Sequence, residues 1–420
     1  NVTGTPTLAL SNSATATYQS GDGTAALVFR YTVAEGDTDS ADLSVSSYSG
    51  TIKDGADNTA AAASGDLGSV IVDANSPSLS SVAAADGTYG VGDNIDITVT
   101  WNESVNVTGT PTLALSNSAS ATYQSGTGSA ALVFRYTVGG SDTESTDLSV
   151  SSYSGTIEDA GGNTAAAASG DLGSVIVDLT APSFSSVAAT DGTYKVGDNI
   201  DITVTWNEIV NVTGTPTLTL SNSATATYQS GTGGAALVFR YTVAEGDTDS
   251  NDLSVSSYSG TIQDAAGNTA AAASGDLGSV IVDANSPSLS SVAAVDGTYG
   301  VGDNIDITVT WSEAVSSSSG TATLSLSNGA TAGYNSGNGS AALVFRYTVG
   351  NGDTDSTDLS VVSYGGDTIQ DAGGNTAAAA SGDLGSVIVD THFPTFSEGV
   401  VADADPNNIS LTFTENLTAT

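Results

Sequence analysis

The chain contains no cysteine, so no disulfide can staple it, and thiol catalysis and cysteine-ligated zinc are excluded. Methionine is also absent, even at position 1, and no signal peptide opens the sequence. The numbering is therefore expected to start inside a longer or processed protein. No apolar run approaches the ~18 residues of a membrane-spanning helix. Positive charge is scarce: six Lys and Arg face 46 Asp and Glu, for a formal net charge of −40. Nucleic-acid partners need basic patches, so that class is excluded, and anionic lipid surfaces are disfavoured. Such a balance favours solubility, mutual repulsion and cation binding. There is one histidine in 420 residues. Without a positioned nucleophile or base, and with acids that recur in near-identical places, the chain does not read as an enzyme.

What is present is regular. Charged residues make up only 12%, while Val, Ile, Leu, Tyr and Phe recur at β-like spacing, which is not a disorder composition. The abundance of small side chains and the scarcity of Lys suit an exported, extracellular surface protein. Val-Ile-Val-Asp ends at Asp73, Asp178, Asp283 and Asp390, at intervals of 105, 105 and 107 residues. A period near 105 residues is a domain rather than one coil of a solenoid, and about a hundred residues can bury an independent core. Residues 1–73 read as the last two-thirds of a repeat. Residues 74–178, 179–283 and 284–390 are complete repeats, and 391–420 begins a further, divergent one.

Gly-Asp-Asn-Ile-Asp-Ile-Thr-Val-Thr-Trp recurs at 92–101, 197–206 and 302–311. Its apolar–polar alternation is that of a half-buried strand. In the 179–283 repeat seven strands are expected. A lies near 183–188, B at 199–206, C near 217–220, D near 225–229, E at 235–243, F at 253–258 and G at 277–283. Pro216 cannot donate to a ladder, so C is expected to start after it. No stretch competes as a helix. Seven short strands with frequent turns read as an all-β, immunoglobulin-like sandwich. Asp-x-x-x-Pro joints without a flexible linker predict tandem domains in an extended rod.

Strand parity then locates the acids. If seven strands run up and down, the A–B and E–F loops lie beside the next domain. The A–B loops carry Asp86 and Asp93, Asp191 and Asp198, and Asp296 and Asp303. The E–F loops carry Asp142, Glu144 and Asp147, then Asp247, Asp249 and Asp252, then Asp353, Asp355 and Asp358. The joints add Asp73, Asp178, Asp283 and Asp390. The following domain presents an acid just after strand B, namely Glu103, Glu208, Glu313 or Glu415. It also presents its F–G turn, with Asp159 and Asn163, Asp264 and Asn268, or Asp371 and Asn375. Carboxylates at ~4 Å repel by about 1 kcal/mol even in water, so a crowded junction calls for a counter-charge. Calcium, with ~6–8 oxygen ligands, is the simplest cation to supply it. The plainer reading is that these acids form turns and solubilise the surface. No stretch matches an EF-hand loop or a nonapeptide calcium repeat.

Other features carry less. Trp101, Trp206 and Trp311 are expected in the core rather than stacked on a sugar, and Tyr18, Tyr123 and Tyr228 along a sheet edge. His392, unrepeated and in a joint, is expected to be solvated. Lys53 and Lys195 stand at non-equivalent positions, which excludes a repeated Lys–Asn isopeptide crosslink. Asn1, Asn102, Asn106, Asn211, Asn338, Asn408 and Asn416 open Asn-x-Ser/Thr triplets, which matter only where the source glycosylates asparagine.

The run Gly-Thr-Tyr-x-Val-Gly-Asp-Asn-Ile-Asp-Ile-Thr-Val-Thr-Trp-x-Glu is accompanied by Val-Thr-Gly-Thr-Pro-Thr-Leu and Asp-x-x-Gly-Asn-Thr-Ala. Together they resemble the tandem immunoglobulin-like repeats of very large bacterial surface proteins, among them repeats-in-toxin-type adhesins. Residues 394–420 are similar to the start of a repeat in a swimming-associated cyanobacterial surface protein. The resemblance implies a non-catalytic extender on the cell surface, with neighbouring repeats as partners and calcium rigidifying the array from the junction acids. The alternative is a subunit of a self-assembling filament or surface layer, whose tail adds strands to the incomplete head of an identical neighbour. A polysaccharide-binding module is a third reading.

Overall fold

The computed structural model describes residues 1–401 and 409–415. Asn408 and Asn416, which open two of the triplets, lie outside them. The chain is all-β, built of tandem immunoglobulin-like sandwiches. Among the described residues every regular element is a strand, and the Ala-rich segment 270–273 is not helical. The chain divides into two compact units, Asn1–Pro182 with Gln263–Ala270, and Ser183–Ile262 with Ala271–Thr420.

The 74–178 repeat shows the plan. Strand A (Leu79–Ala83) lies antiparallel to the first half of a 22-residue strand, Asn94–Leu115, with Leu79 opposite Trp101. Strand E (Ser129–Thr137) lies on the other side of that half, with Phe134 opposite Ile97 and Arg135 opposite Asp96. The second half pairs with strand D (Ser120–Ser125) and strand F (Ser149–Glu158). B and C are thus one strand serving both sheets, and Asn199–Leu220 repeats this, whereas in the 284–390 repeat B (Asn304–Ser317) and C (Thr323–Leu326) are separate. This corrects the expected break before C. Pro111 sits within the strand because the ladder shifts register there, so no backbone N–H is required of it, and Pro216 holds the equivalent place within Asn199–Leu220. The facing Gly155 has φ 101°, and a Cβ on it would lie 2.8 Å from Pro111 Cα.

Two further features depart from the seven-strand reading. G is split. In the 179–283 repeat, Gly275–Asp276 pairs with F, and Val280–Asp283 pairs in parallel with an extra short strand, A′ (Gly192–Lys195). Gly278, at φ 90°, carries the chain from one edge to the other. The A–B loop therefore contains a strand that closes the sandwich. F is also longer than expected, Ser254–Gln263.

The alternation in strand B is a burial pattern. Ile95, Ile97, Val99 and Trp101 point into the core with Leu132, Phe134 and Tyr136 from strand E. Trp101, Trp206 and Trp311 are at most 2% exposed. Trp101 donates Nε1–H to Ala166 O at 3.3 Å and meets Tyr153 edge-on, with centroids 6.3 Å apart. No ring face is left to stack on a sugar. On the outer face, Arg135, Arg240 and Arg346 hold Asp96, Asp201 and Asp306 through two bonds each, at 2.6–2.8 Å.

Candidate metal centre

The F–G turn forms because its Asp organises it. Asp159 Oδ1 accepts Asn163 N at 2.8 Å, and Asp159 Oδ2 accepts Asn163 Nδ2–H at 2.9 Å. Asn163 Nδ2 also donates to the Asp73 carbonyl at 3.0 Å. Asp73 ends the preceding repeat, so the turn is tied to the joint. Strand B runs on past Trp101 and delivers Glu103 to the same place. One carboxylate oxygen each from Asp73, Glu103 and Asp159 lies within 4.8 Å of the others. Gly161 makes the approach possible, since a Cβ there would lie 2.8 Å from Asp73 Cβ.

The electrostatics follow from this crowding. Burial, then the charges of Asp159 and Asp39, push the Asp73 carboxyl above its usual range. Glu103 is raised by burial and by Asp159, Asp73 and Asp39. Among the described residues, no recorded ion pair joins a Lys or Arg to these three acids.

In the second unit Asp283, Glu313, Asp371 and Asn375 hold the equivalent places, but their three carboxylates do not close to within 4.8 Å of one another. Burial and then Asp371 and Asp249 raise the Asp283 carboxyl. Glu313 is raised by burial, then by Asp371, Asp283, Asp249 and Glu245. Asn375, 2% exposed, turns its Nδ2 to Asp283 O and Oδ1, at 3.0 and 3.1 Å. Asp371 Oδ2 is left buried without a hydrogen-bond partner. A Cβ on Gly373 would lie 2.2 Å from Asp283 Oδ2. The A′–B turn of the preceding repeat closes on this turn: Val196 N donates to Asn375 Oδ1 at 2.9 Å, and Lys195 Nζ donates to Gly374 O at 3.1 Å. In the first unit Asn268 likewise joins Asp264 to the Asp178 carbonyl, at 2.9 and 3.1 Å. Glu208 is half-buried just past Trp206.

Other expected ligands spend carboxylate oxygens within their own repeats, which corrects the expectation that all the junction acids gather in one cluster. Asp86, Asp191 and Asp296 each accept one backbone N–H, from Ser174, Ser279 and Ser386, where the second part of G begins. Asp93, Asp198 and Asp303 close the A′–B turn by accepting N–H from Gly90, Lys195 and Gly300. Asp142, Asp247 and Asp353 accept the hydroxyls of Tyr136, Tyr241 and Tyr347 at 2.7 Å. Burial and these carboxylates push the tyrosine pKa values up to about 12. Asp147, Asp252 and Asp358 are exposed.

A third group of acids fastens the joints. Glu144 accepts Leu179 N and Thr180 Oγ1–H, Asp249 accepts Ala284 N, and Asp355 accepts Thr391 N. Glu35 and Glu245, which sequence reasoning left out, take Ser76 and Ser286 in the same way. Their recurrence in Ala-Glu-Gly-Asp-Thr-Asp at 34–39 and 244–249 was the available signal. Also missed was the buried lock Asn117–Tyr136–Asp142, recurring from Asn12, Asn222 and Asn328, each in a Leu-Ser-Asn turn. At the last joint His392, exposed but not merely solvated, places Nδ1 2.5 Å from Asp355 Oδ2 and 3.9 Å from Asp390 Oδ1. Glu415 lines the same groove.

These donor sets suit a hard cation. They offer carboxylate and amide oxygens, one buried carboxylate oxygen without a partner, and glycines where a side chain would fill the space.

No family model matches the chain, and no curated protein matches it. Among solved structures, the plexin A4 extracellular region (domains 1 to 8) aligns at 8% identity over 72% of this chain, with a TM-score of 0.20. The chain spans 34% of that structure's length. A marsupial T cell receptor aligns at 11% identity over 72% of this chain and 98% of its own, with a TM-score of 0.23. A longer plexin A4 structure (domains 1 to 10) aligns at 9% identity over 77% of this chain and 30% of its own, with a TM-score of 0.18. At these scores the likenesses carry no argument about function.

Proposed function

We propose that the chain is a non-catalytic extender segment of a large extracellular adhesin, stiffened by calcium at the joints between repeats. The observation that carries this reading is the meeting of Asp73, from the end of one repeat, with Glu103 and Asp159 of the next, oxygens within 4.8 Å and without a basic partner. Calcium would be held by these three with Asn163, and by Asp283, Glu313 and Asp371 with Asn375. It would replace mutual repulsion by shared attraction and so lock two sandwiches at one angle. The acids that clamp the joint backbones support the same role, because they restrict the linker before any ion binds.

Extracellular modules of this kind bind calcium at ~0.1–1 mM. Calcium at about 100 times its Kd adds about 2.7 kcal/mol to the stability of what it holds. Thermal unfolding in calcium, magnesium and chelator tests the reading. A higher transition in calcium than in the other two is expected, and equal stability in all three would sink it.

A further inference from the structure

Asn-Gly pairs occur at 328–329, 338–339 and 351–352, all in the 284–390 repeat. An asparagine followed by glycine is chemically labile, because glycine has no Cβ to keep its backbone nitrogen away from the asparagine side-chain carbonyl. By sequence the three pairs are alike. The structure separates them.

Two of the pairs are held. Asn338 Oδ1 accepts Ser317 N at 2.9 Å, and its Nδ2 donates to Ser317 O at 3.2 Å. Gly339 N donates to Val315 O at 2.9 Å and to Ser316 Oγ at 3.0 Å. Asn328 Nδ2 donates to Tyr347 Oη and Thr354 O, both at 3.2 Å, and its Oδ1 accepts Ala330 N at 3.1 Å. Gly329 N donates to Leu326 O at 3.0 Å. Attack by either glycine nitrogen first requires such bonds to break. Asn351 and Gly352, by contrast, are the exposed corners of the E–F turn, which Asp353 N closes on Gly350 O at 3.3 Å. Among the described residues, neither the Asn351 side chain nor Gly352 N has a hydrogen-bond partner.

We propose that Asn351 is a modification site, which deamidates spontaneously in the folded chain. Gly352 N attacks Asn351 Cγ. The N–Cγ bond forms, the Cγ–Nδ2 bond breaks, and Nδ2 leaves as ammonia with the proton from Gly352 N. Water then opens the succinimide at one of its two carbonyls, leaving aspartate or isoaspartate. Val-Gly-Asn-Gly-Asp at 349–353 stands where residues 243–247 read Val-Ala-Glu-Gly-Asp. Conversion therefore puts a carboxylate at the position from which Glu245 fastens its own joint through Ser286.

The test uses the full chain incubated in mildly alkaline buffer, with aspartate and isoaspartate at each asparagine quantified by peptide mapping and mass spectrometry. Because several hydrogen bonds must open before Asn328 or Asn338 reacts, Asn351 is expected to convert at least about 10-fold faster than either. In urea the three rates should become similar, since the fold alone separates them. Asn351→Gln should remove the fast phase of ammonia release. The proposal is overturned by a smaller separation in the folded chain, by a separation that persists in urea, or by a fast phase that survives Asn351→Gln.

Discussion

Replacing Glu103 and Glu313 together by glutamine should stabilise the metal-free chain and destabilise the calcium-loaded one. Each glutamate faces two further carboxylates at its joint, in the first unit within 4.8 Å. At an effective dielectric of ~20, one such pair repels by about 3–4 kcal/mol. The glutamates are only half-buried, so solvent screening brings the gain on neutralisation nearer 1 kcal/mol per site. For a domain of about a hundred residues that is a rise of roughly 4–8 °C in chelator. In calcium the same change removes a ligand. A tenfold weaker Kd forfeits about 1.4 kcal/mol of the ion's contribution, so the variant's calcium-induced shift should fall to about half or less. Scanning calorimetry of both proteins in chelator and in calcium reads the two effects together. A variant that melts lower in chelator, or that keeps the full calcium shift, would refute the repulsion argument.

Three other outcomes follow from the geometry. Asp73, Glu103, Asp283 and Glu313 have raised pKa values, so the metal-free native chain binds protons before the unfolded chain does. In chelator, stability should rise on going from about pH 7 to about pH 5 while the calcium shift shrinks. The trend should reverse below about pH 4, as the lowered carboxylates Asp96, Asp201 and Asp306 protonate; melting curves across that range check it. Gly126→Ala should cost about 2 kcal/mol or more in urea unfolding, because φ is 112° and its Cβ would lie 2.3 Å from Ala131 O. Asn117→Ala should cost about 1–3 kcal/mol, since it removes a buried amide that serves Tyr136, Thr143 and Ala119; the near-ultraviolet signal of the tyrosines during urea unfolding would report it.

Much of the fold could be read from period and parity. The alternation from Ile95 to Trp101 needed only the rule that successive strand residues face opposite sides, and it named the core correctly. Parity also named Asp73, Glu103 and Asp159 as neighbours. It could not show that Asp86, Asp93 and Asp142 are engaged within their own repeats. These are the same residue type in equally turn-like surroundings, but backbone amides or a tyrosine hydroxyl in their own repeat already occupy their oxygens. The A′ strand was hidden because three residues, Gly87–Tyr89, carry too little alternation to register, and their partner lies almost ninety positions away.

The sequence by itself determined the repeat, its all-β character, the inward face of each long strand and the lack of positive charge to balance the acids. These depend on local periodicity and composition, which need no knowledge of distant neighbours. Only the tertiary structure decided which carboxylates converge and which are consumed at home, and that B and C run on as one strand in two of the repeats. Each depends on where two distant segments meet, and a hydrogen bond or a Coulomb pair is set by distances of a few ångströms in space rather than by separation along the chain.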